Sequence, residues 1–471
     1  MRGLEGRGGG GRGGGVGAGG GGGGGAGGGG AGGGLPPGGP GPRGMGGRAG
    51  GPGWATGEGL RGALGAAGGE LAGRLEGCGA PGAARRLGRV LEGLGGGAAP
   101  GELAGELGLL ADASWEKLHT GNYAAVNEAW RDLFAVSAFG RAAAAAGEGH
   151  PAQALEHLDA ALLFGAAAFR PAVQAAAEGV QQSLRGGGSG AGKRKREGQK
   201  RVLGEDACLS GLPGGSLGER AERGASVERL VRPSLEAFAG VLQRGQPAEI
   251  SGAIDHWPAL DKWRDVEYLE VALGARNVPV EIGRDYTSSA WTQRVVRLGH
   301  FLEESFGGCR DSGATGTEGS AVAGDGTMYL AQFPLFDHAP ALRRDFSLPD
   351  YCCLGRGELL ATNAWLGPRG TVTPWHTDPH QNLLAQVVGK KYVRLAPPEA
   401  ATCLYPFSSG LTTNTSRVDA LAPDLVEFPR YSDVPFLDCL LEPGAMLYIP
   451  PGWWHYVQAA SSSFSVSFWW K

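Results

Sequence analysis

The stretch that decides the fold reads Thr371-Val-Thr-Pro-Trp-His-Thr-Asp-Pro-His-Gln-Asn-Leu-Leu-Ala-Gln-Val-Val-Gly-Lys-Lys391. In an extended strand, residues i and i+2 project from the same face, so His376 and Asp378 would stand side by side. His455, in Pro450-Pro-Gly-Trp-Trp-His-Tyr-Val457, is far enough along the chain for a sheet to bring it back to them. Two histidines and one carboxylate leave three adjacent positions open on an octahedral ion, an arrangement that suits Fe(II) better than closed tetrahedral zinc.

Short strand-like runs separated by Pro and Gly turns continue from this stretch to the C-terminus. Residues 383–388 and 391–395 flank Gly389-Lys390, a spacing that predicts an antiparallel hairpin. The closing run Phe464-Ser-Val-Ser-Phe468 alternates strictly between apolar and polar side chains, as a strand with two unlike faces does. Many short antiparallel strands predict a double-sheet jelly roll, which is the cupin-like double-stranded β-helix. We therefore expect a mainly β protein.

Lys391 is predicted to be buried beside the metal pair. It shares a strand face with Val393 and Leu395, where a bare ammonium is costly unless it meets an anion. A dicarboxylate co-substrate would supply that anion. The alternative is the inverted strand register, in which Tyr392 and Arg394 point inward and the lysine lies at the surface.

Other polar side chains complete this site or compete with it. Tyr329, Thr373 and Asn382 carry hydroxyl and amide groups suited to orienting the same carboxylates. His380 offers a competing imidazole two residues after Asp378, and such spacings are common by chance. The spacing alone therefore leaves the ligand set open.

Composition divides the rest of the chain. The 90 glycines crowd the N-terminal end, and residues 1–58 are predicted to be a disordered Gly/Arg-rich tail. Residues 59–184 show helical periodicity and are predicted to be an α-helical domain. Residues 185–225 are expected to be a flexible basic linker, and residues 226–471 hold the strand-rich domain.

One helix of the predicted helical domain has a clear apolar stripe. Leu155, Leu158 and Leu162 recur at helical spacing after Pro151, which suits the first turn of a helix. Asp159 lies mainly off this stripe.

Charge and cysteine usage limit the partners. The formal net charge of −4 gives no broad basic surface, so direct nucleic-acid binding is not expected for most of the chain. The Arg-Gly tail is the one place where weak binding is expected, and the alternative is that this segment is a plain flexible tail. None of the 7 cysteines forms a CxxC pair, and no leader or long apolar run is evident, so we expect an intracellular protein without membrane contact. Lys193-Arg-Lys-Arg196 resembles a nuclear import signal, although a solvated charge run looks the same. We expect the protein to be present in the nucleus and the cytoplasm.

Four motifs together resemble the jumonji-C family. They are His376-Thr-Asp378, Gly389-Lys-Lys391-Tyr, Pro-Gly-Trp-Trp-His455 and Phe-Ser-Val-Ser-Phe-Trp-Trp470, and the resemblance extends over most of residues 105–471. It implies an oxygenase that depends on Fe(II), 2-oxoglutarate and O2. It further implies that iron is bound by His376, Asp378 and His455. Lys391 would pair with the distal carboxylate of 2-oxoglutarate, and the hydrogen bonds to it would come from Tyr329, Thr373 and Asn382.

The resemblance also implies a protein substrate such as a histone peptide. Glu281 lies on the strand face opposite Val278 and Val280, where a carboxylate could pair with a guanidinium; a surface carboxylate is the alternative. The candidate substrate residues are Glu281, Tyr286, Trp291, Gln332 and Trp365. We predict arginyl C–H hydroxylation, with histone methyl-lysine demethylation as the first alternative and a catalytically silent binding module as the second. The low-complexity insertion at 307–326 is expected to alter access to the site.

Overall fold

Six helices form the N-terminal part of the computed structural model, which describes residues 53–120, 125–165, 167–187, 201–206, 225–307, 326–410 and 412–471. In chain order they are α1 (Gly57–Gly77), α2 (Pro81–Gly95), α3 (Ala104–His119), α4 (Glu128–Gly147), α5 (Pro151–Phe164) and α6 (Arg170–Gly187). Most of the predicted tail, the basic run at 193–196 and nearly all of the insertion at 307–326 lie outside the described residues.

Local sequence explains how these helices begin and why α4 lies at the centre of the domain. The Asn127 side chain caps α4 by accepting the Ala129 N–H at 2.9 Å, and Pro151 opens α5, where its missing N–H costs nothing. α4 packs against α1, α3 and α5. Its small residues allow this close packing: a Cβ added at Gly140 would lie 2.5 Å from a methyl carbon of Leu107.

Helices also cover the outer face of one sheet in the C-terminal part. They are α7 (Leu235–Arg244), α8 (Ala259–Lys262), α9 (Val266–Leu273), α10 (Leu298–Phe306) and α11 (Leu335–His338). Short 3-10 helices lie at Gly53–Ala55, Pro100–Leu103, Ala167–Phe169, Pro340–Asp345, Asp350–Cys353, Pro398–Cys403 and Pro429–Asp433. Helices make up 47% of the described residues, so the prediction of a mainly β protein is wrong. The many strands are short, and the few long helices contain more residues.

The strands form two facing sheets. They are β1 (Ala225–Ser226), β2 (Glu228–Val231), β3 (Ala248–Ser251), β4 (Asn277–Ile282), β5 (Thr292–Arg297), β6 (Met328–Phe333), β7 (Leu359–Gly367), β8 (Val372–Thr377), β9 (Gln381–Val388), β10 (Lys391–Ala396), β11 (Leu437–Leu441), β12 (Ala445–Ile449), β13 (Trp454–Ala459) and β14 (Ser463–Trp470). The smaller sheet has the order β1-β11-β10-β13-β8, and the larger has the order β2-β3-β12-β9-β14-β7-β6-β4-β5. This is the cupin-like architecture that the sequence predicts.

The tight turn at Gly389 joins the two sheets. β9 lies in the larger sheet between β12 and β14, whereas β10 lies in the smaller sheet between β11 and β13. The predicted hairpin is therefore wrong. The turn finds other partners: the Lys390 N–H donates to Ser461 Oγ at 2.8 Å, and the Gln386 amide donates to the carbonyls of Val388 and Gly389. Because these bonds satisfy the backbone, the two strands can separate at the corner.

β10 has one face inside and one face outside the pair of sheets. Val393 and Leu395 join the apolar cluster between the sheets, and Lys391 lines a cavity in the same space with 2% of its surface exposed. Tyr392 packs in a separate cluster on the outer face of the smaller sheet. The structure therefore has the register in which Lys391 points inward.

β14 turns its apolar face away from the space between the sheets. Phe464 stacks on Trp263 beneath the helical cover, with 4.4 Å between the ring centroids. Ser467, on the other face, lines the inner cavity. The alternation of the closing run thus predicts a strand correctly, and it is the polar face of that strand that meets the cavity.

Two β-bulges change which residues face the interior. In β8, Pro374 and Trp375 together oppose a single residue of β13, and proline is tolerated there because a bulge residue donates no ladder hydrogen bond. A second shift in register, in β6, lies beside Gln332, which has a φ of 46°. The first bulge puts Thr373 and His376, three residues apart, on the same cavity.

Residues 201–206 pack on the sheets, although they fall within the predicted linker. Leu203 is 1% exposed in the core under the larger sheet. The Asp206 carboxylate accepts hydrogen bonds from the Ser462 N–H and hydroxyl. Residues 50–471 form one compact unit. None of the described helices combines the length and apolar character that a membrane crossing needs.

Candidate active site

Two paired strands and one turn bring the three candidate metal ligands together. His376 on β8 pairs directly with His455 on β13, and their ring centroids are 4.0 Å apart. Asp378 follows β8, and its carbonyl accepts the Gly452 N–H at 2.8 Å. Its carboxylate lies 4.0 Å from His376 Nε2 and 3.6 Å from His455 Nε2. One donor atom from each side chain lies within 4.8 Å of the other two.

Hydrogen bonds hold both imidazoles in the form that binds a metal. Nδ1 of His376 donates to the Pro374 carbonyl at 2.8 Å, and Nδ1 of His455 donates to the Trp453 carbonyl at 3.0 Å. A proton on Nδ1 leaves the Nε2 lone pair of each ring facing Asp378. Burial, together with the neighbouring His455, lowers the pKa of His376 to about 4, which keeps this ring neutral. Two neutral nitrogens and one carboxylate fit a divalent ion with open positions.

An inner cavity reaches from the triad to Lys391. It is lined by side chains from both sheets: Tyr329, Trp365, Thr373, Asn382, Leu384, Lys391, Ile449, Val457 and Ser467. The Lys391 ammonium lies 3.3 Å from the Tyr329 hydroxyl, and no carboxylate of the described residues forms an ion pair with it. Burial lowers the pKa of Lys391 to about 7.

The polar groups of this inner cavity suit a small dicarboxylate. A carboxylate beside Lys391 would supply the countercharge that no described residue provides. The buried Asn382 side-chain oxygen has no hydrogen-bond partner among the described residues, and turning the amide over would present its NH2 group to an oxyanion. All four residues predicted to bind 2-oxoglutarate line this cavity. The site therefore has the charge and the hydrogen-bonding groups for a small dicarboxylate next to the metal ligands.

A larger cavity of about 550 Å³ shares His376 and Asp378 with the inner one. Its lining includes all five predicted substrate residues: Glu281, Tyr286, Trp291, Gln332 and Trp365. Burial raises the pKa of the Glu281 carboxyl, and the nearby Asp285 raises it further. The Trp291 indole lies beside this carboxylate and opposes the shift, although its buried N–H makes no full hydrogen bond within the part of the chain that the structure describes.

A loop that the sequence analysis did not assign to the site borders the larger cavity. The Asn414 side chain donates to the Thr377 carbonyl at 2.9 Å, and the Asn414 carbonyl accepts the Thr377 N–H at 3.0 Å. The next residue, Thr415, has its hydroxyl 3.3 Å from the Tyr286 hydroxyl. This loop thus connects the end of the metal-binding strand with the substrate side of the cavity.

Further lining residues were missed for different reasons. Ser467 and Trp469 continue the polar face of β14, so the alternation of the closing run contained a usable signal for them. Ser467 also fixes Trp365 by accepting its indole N–H at 2.9 Å. Gln293 lies on the exposed strand β5, where no period marks the inward side. The competing His380 packs on the Trp469 ring and lies outside the metal-binding group.

Two known protein families match this chain. Residues 234–471 match the family described as "Cupin-like domain". Residues 98–194 match the family described as "KDM8-like, N-terminal ARM repeats". The two matches fall on the two-sheet part of the structure and on the helical part.

Several known proteins are similar along most of their length. The chain is 40% identical over 377 residues to "Lysine-specific demethylase JMJ30" of Arabidopsis thaliana, which covers 76% of this chain and 84% of that protein. It is 37% identical over 407 residues to "Lysine-specific demethylase 8" of Xenopus tropicalis, a match that covers 78% of this chain and 88% of that protein. It is 36% identical over 375 residues to "Jumonji C domain-containing protein 5" of Drosophila melanogaster, covering 78% and 86%.

Proposed function

We propose that this chain, which belongs to the jumonji-C family of Fe(II)- and 2-oxoglutarate-dependent oxygenases, oxidises a C–H bond in a cationic side chain of a protein substrate. Family membership confirms the resemblance predicted from the four motifs. The family implies iron and 2-oxoglutarate as cofactor and co-substrate, and the donor set and the unpaired Lys391 fit both.

Each group of the site has a role in this proposal. Bound iron, with 2-oxoglutarate and O2, supplies an oxidant that removes hydrogen from a C–H bond, and succinate and CO2 are the co-products. His376, Asp378 and His455 would hold the metal, with the two imidazoles oriented by their Nδ1 hydrogen bonds to backbone carbonyls. Lys391 would bind the distal carboxylate of 2-oxoglutarate. The apolar walls around these groups limit the access of water.

The proposal of a cationic substrate rests on Glu281, a buried carboxylate of the larger cavity. Its carboxylate lines the larger cavity, and among the described residues no lysine, arginine or histidine forms an ion pair with it. Burial raises its pKa, so a substrate cation would restore the charged form and gain a charge-assisted hydrogen bond. The Trp291 and Trp365 rings offer faces on which a cation can stack.

Two outcomes share this chemistry. The names of the relatives favour removal of an N-methyl group from lysine over the arginyl hydroxylation that the sequence analysis puts first. In that reaction the hydroxylated methyl group leaves as formaldehyde. Arginyl hydroxylation is the second candidate, because one carboxylate beside an indole suits a planar guanidinium, whereas methylammonium groups are more often held in an aromatic cage.

The experiment that tests the proposal uses two matched peptides, one with dimethyl-lysine and one with arginine at the same position. The protein is incubated with Fe(II), ascorbate and 2-oxoglutarate, and succinate, formaldehyde and peptide mass are measured. Stepwise loss of methyl mass with formaldehyde identifies a demethylase, and a stable gain of one oxygen identifies a hydroxylase. His376→Ala controls for the iron-dependent reaction.

Glu281→Gln tests the substrate side of the same proposal. We expect the KM for the accepted peptide to rise about tenfold, because a charge-assisted contact is lost, while 2-oxoglutarate turnover without peptide stays unchanged. An unchanged KM would contradict the role given to Glu281. If the wild-type protein forms no more succinate than His376→Ala with either peptide, the binding-module alternative explains the chain better.

We also propose a nuclear and cytoplasmic location, which the basic run Lys193-Arg-Lys-Arg196 supports. A fluorescent fusion of the full chain is expected to lose its nuclear signal when the four basic residues are changed to alanine. An unchanged distribution would contradict this role for the run.

A further inference from the structure

A buried ion pair joins the helical domain to the strand that carries Glu281. Asp159 on α5 and Arg276, which directly precedes β4, are both 0% exposed and approach to 2.7 Å. The other oxygen of the same carboxylate accepts the N–H of Asn277, the first residue of β4, at 2.7 Å. His338 Nε2 lies 3.3 Å from the carboxylate and donates to the Asn277 carbonyl at 2.9 Å. We call Asp159, Arg276, Asn277 and His338 the Asp159 network.

The network also holds a second strand of the cavity. His338 ends α11, which follows β6, and its ring packs against Phe333 with 5.2 Å between centroids. β6 carries Gln332, and it pairs with β4 at Tyr329 and Glu281. Two strands that line the substrate side of the cavity are therefore both attached to one carboxylate of the helical domain.

The chemistry of the network favours positioning over stability. Taking two charges out of water costs about as much as their attraction returns, and apolar residues of the same size often serve equally well. An ion pair with several directed hydrogen bonds accepts one arrangement only. Arg276 also donates to the His338 carbonyl at 2.6 Å and reaches Gln181 of α6 at 3.5 Å. These contacts fix the start of β4 relative to α5 and α6.

β4 connects this fixed point to the cavity. Asn277 and Glu281 are four residues apart on a regular strand, which is about 13 Å. β4 is paired with β5 on one side and with β6 on the other, so it moves as a unit with them. The metal triad lies on β13 and at the end of β8 in the smaller sheet. A shift at Asn277 therefore moves the substrate side of the cavity, together with Tyr329 of the inner cavity, and leaves the metal side in place.

We propose that the helical domain positions the substrate side of the cavity through Asp159. Asp159 is then a positioning residue, which touches neither peptide nor co-substrate and acts through Asn277 on Glu281. The kinetic consequence of this inference rests on the proposed function. The structural consequence does not, so the two can fail separately.

Hydrogen–deuterium exchange of the full chain tests the structural consequence. In Asp159→Asn we expect the amides of 277–282 to exchange about tenfold faster than in wild type, with those of 372–377 unchanged. The matched control is Asp132→Asn, since Asp132 is a buried helix carboxylate that pairs with Arg74 at 2.6 Å inside the helical domain. The proposal is overturned if the β4 amides of Asp159→Asn exchange at the wild-type rate. It is also overturned if Asp159→Asn and Asp132→Asn accelerate this exchange equally.

Steady-state kinetics test the functional consequence. Asp159→Asn is expected to raise the KM for the peptide about tenfold. 2-Oxoglutarate turnover without peptide should change by less than about threefold, because Tyr329 is the one co-substrate residue of the four on a strand paired with β4. The double variant Asp159→Asn/Arg276→Gln leaves no unpaired charge, so it should fold where the single variant fails, and it should raise KM equally. An unchanged KM in these variants, or the same rise in Asp132→Asn, overturns the inference. If wild type oxidises no peptide, the proposed function fails and the exchange experiment still decides this inference.

Discussion

The two faces of β10 each carry a buried cation, and the fold treats the two in opposite ways. Lys391 faces the inner cavity without a carboxylate partner among the described residues, and burial lowers its pKa to about 7. Arg394, three residues along on the outer face, binds both oxygens of Asp438 at 2.8 and 2.9 Å. Burial alone would lower the pKa of Arg394, but this ion pair raises it. A buried cation whose anion the chain supplies is structural, and one whose anion is left out marks a place for a ligand.

Lys391→Met should break the ligand side of this comparison and have the largest effect. We expect 2-oxoglutarate turnover to fall about a hundredfold or more, because the distal carboxylate loses its charge-assisted partner in a buried site. Succinate formation measures the loss. Added 2-oxoglutarate should raise the Tm of wild type but not of the variant. A variant that keeps the wild-type KM for 2-oxoglutarate would show that Lys391 is not its partner.

Arg394→Met should break the structural side. Removing the guanidinium leaves the Asp438 carboxylate buried without its ion-pair partner, so the free energy of unfolding should fall by about 3 kcal/mol. Urea unfolding measures this change, and Arg394→Lys provides a milder control that keeps the charge but loses the two-point contact. The KM for 2-oxoglutarate should be unchanged in the folded variant. If the free energy of unfolding fell less in Arg394→Met than in Lys391→Met, the two cations would have the opposite roles.

The pH dependence of stability sharpens the same contrast. The pKa of Lys391 in the folded protein, about 7, lies below the value near 10.4 of an unfolded lysine. Between these two pH values the unfolded chain binds more protons than the folded one. The free energy of unfolding of wild type therefore rises as the pH rises from about 7 to about 10.4. Without ligands, Lys391→Met should therefore be more stable than wild type by about 2 kcal/mol at pH 6, and by less at pH 9. Urea titrations at both pH values measure the gap. The same stability difference at pH 6 and pH 9 would mean that burial does not lower the pKa of Lys391.

Tyr392→Phe should have the smallest effect. The Tyr392 hydroxyl donates to Asp438 at 2.8 Å, and Arg394 keeps its two contacts with that carboxylate when the hydroxyl is removed. We expect a loss of about 1 kcal/mol in the free energy of unfolding and no change in turnover. A loss as large as that in Arg394→Met would place the main support of Asp438 on the tyrosine.

Sequence alternation predicts the inward face of β10 but not the whole lining of the site. Val393 and Leu395 are enough to place Lys391 inside, because each strand face has a period of two. In β8 the bulge at Pro374 and Trp375 interrupts that period, so alternation alone would put Thr373 on the face opposite His376. The chemistry of its hydroxyl and the resemblance to a family, rather than the spacing, assigned Thr373 to the site.

Long-range contacts explain the other errors. A two-residue turn predicts a hairpin because neighbouring strands usually pair, but β9 and β10 take other partners here, and the Lys390 N–H at their corner binds Ser461, 71 residues later in the chain. Asp159 lies mainly off the apolar stripe of α5, a position that does not indicate burial. It is 0% exposed because its partner Arg276 lies 117 residues later, and no local pattern reveals such a pairing.

The docked segment at 201–206 has a practical consequence for anyone who shortens the gene. The match to the "KDM8-like, N-terminal ARM repeats" family ends at residue 194 and the match to the cupin-like family begins at 234, so a clone of the two-sheet part that begins at 234 omits it. Such a fragment would lose Leu203 from beneath the larger sheet and Asp206 from Ser462, next to the corner where Gly204 meets Gly389. The uncovered apolar surface would promote aggregation. Poor yield of that fragment would then reflect its starting residue and not a need for the helical domain.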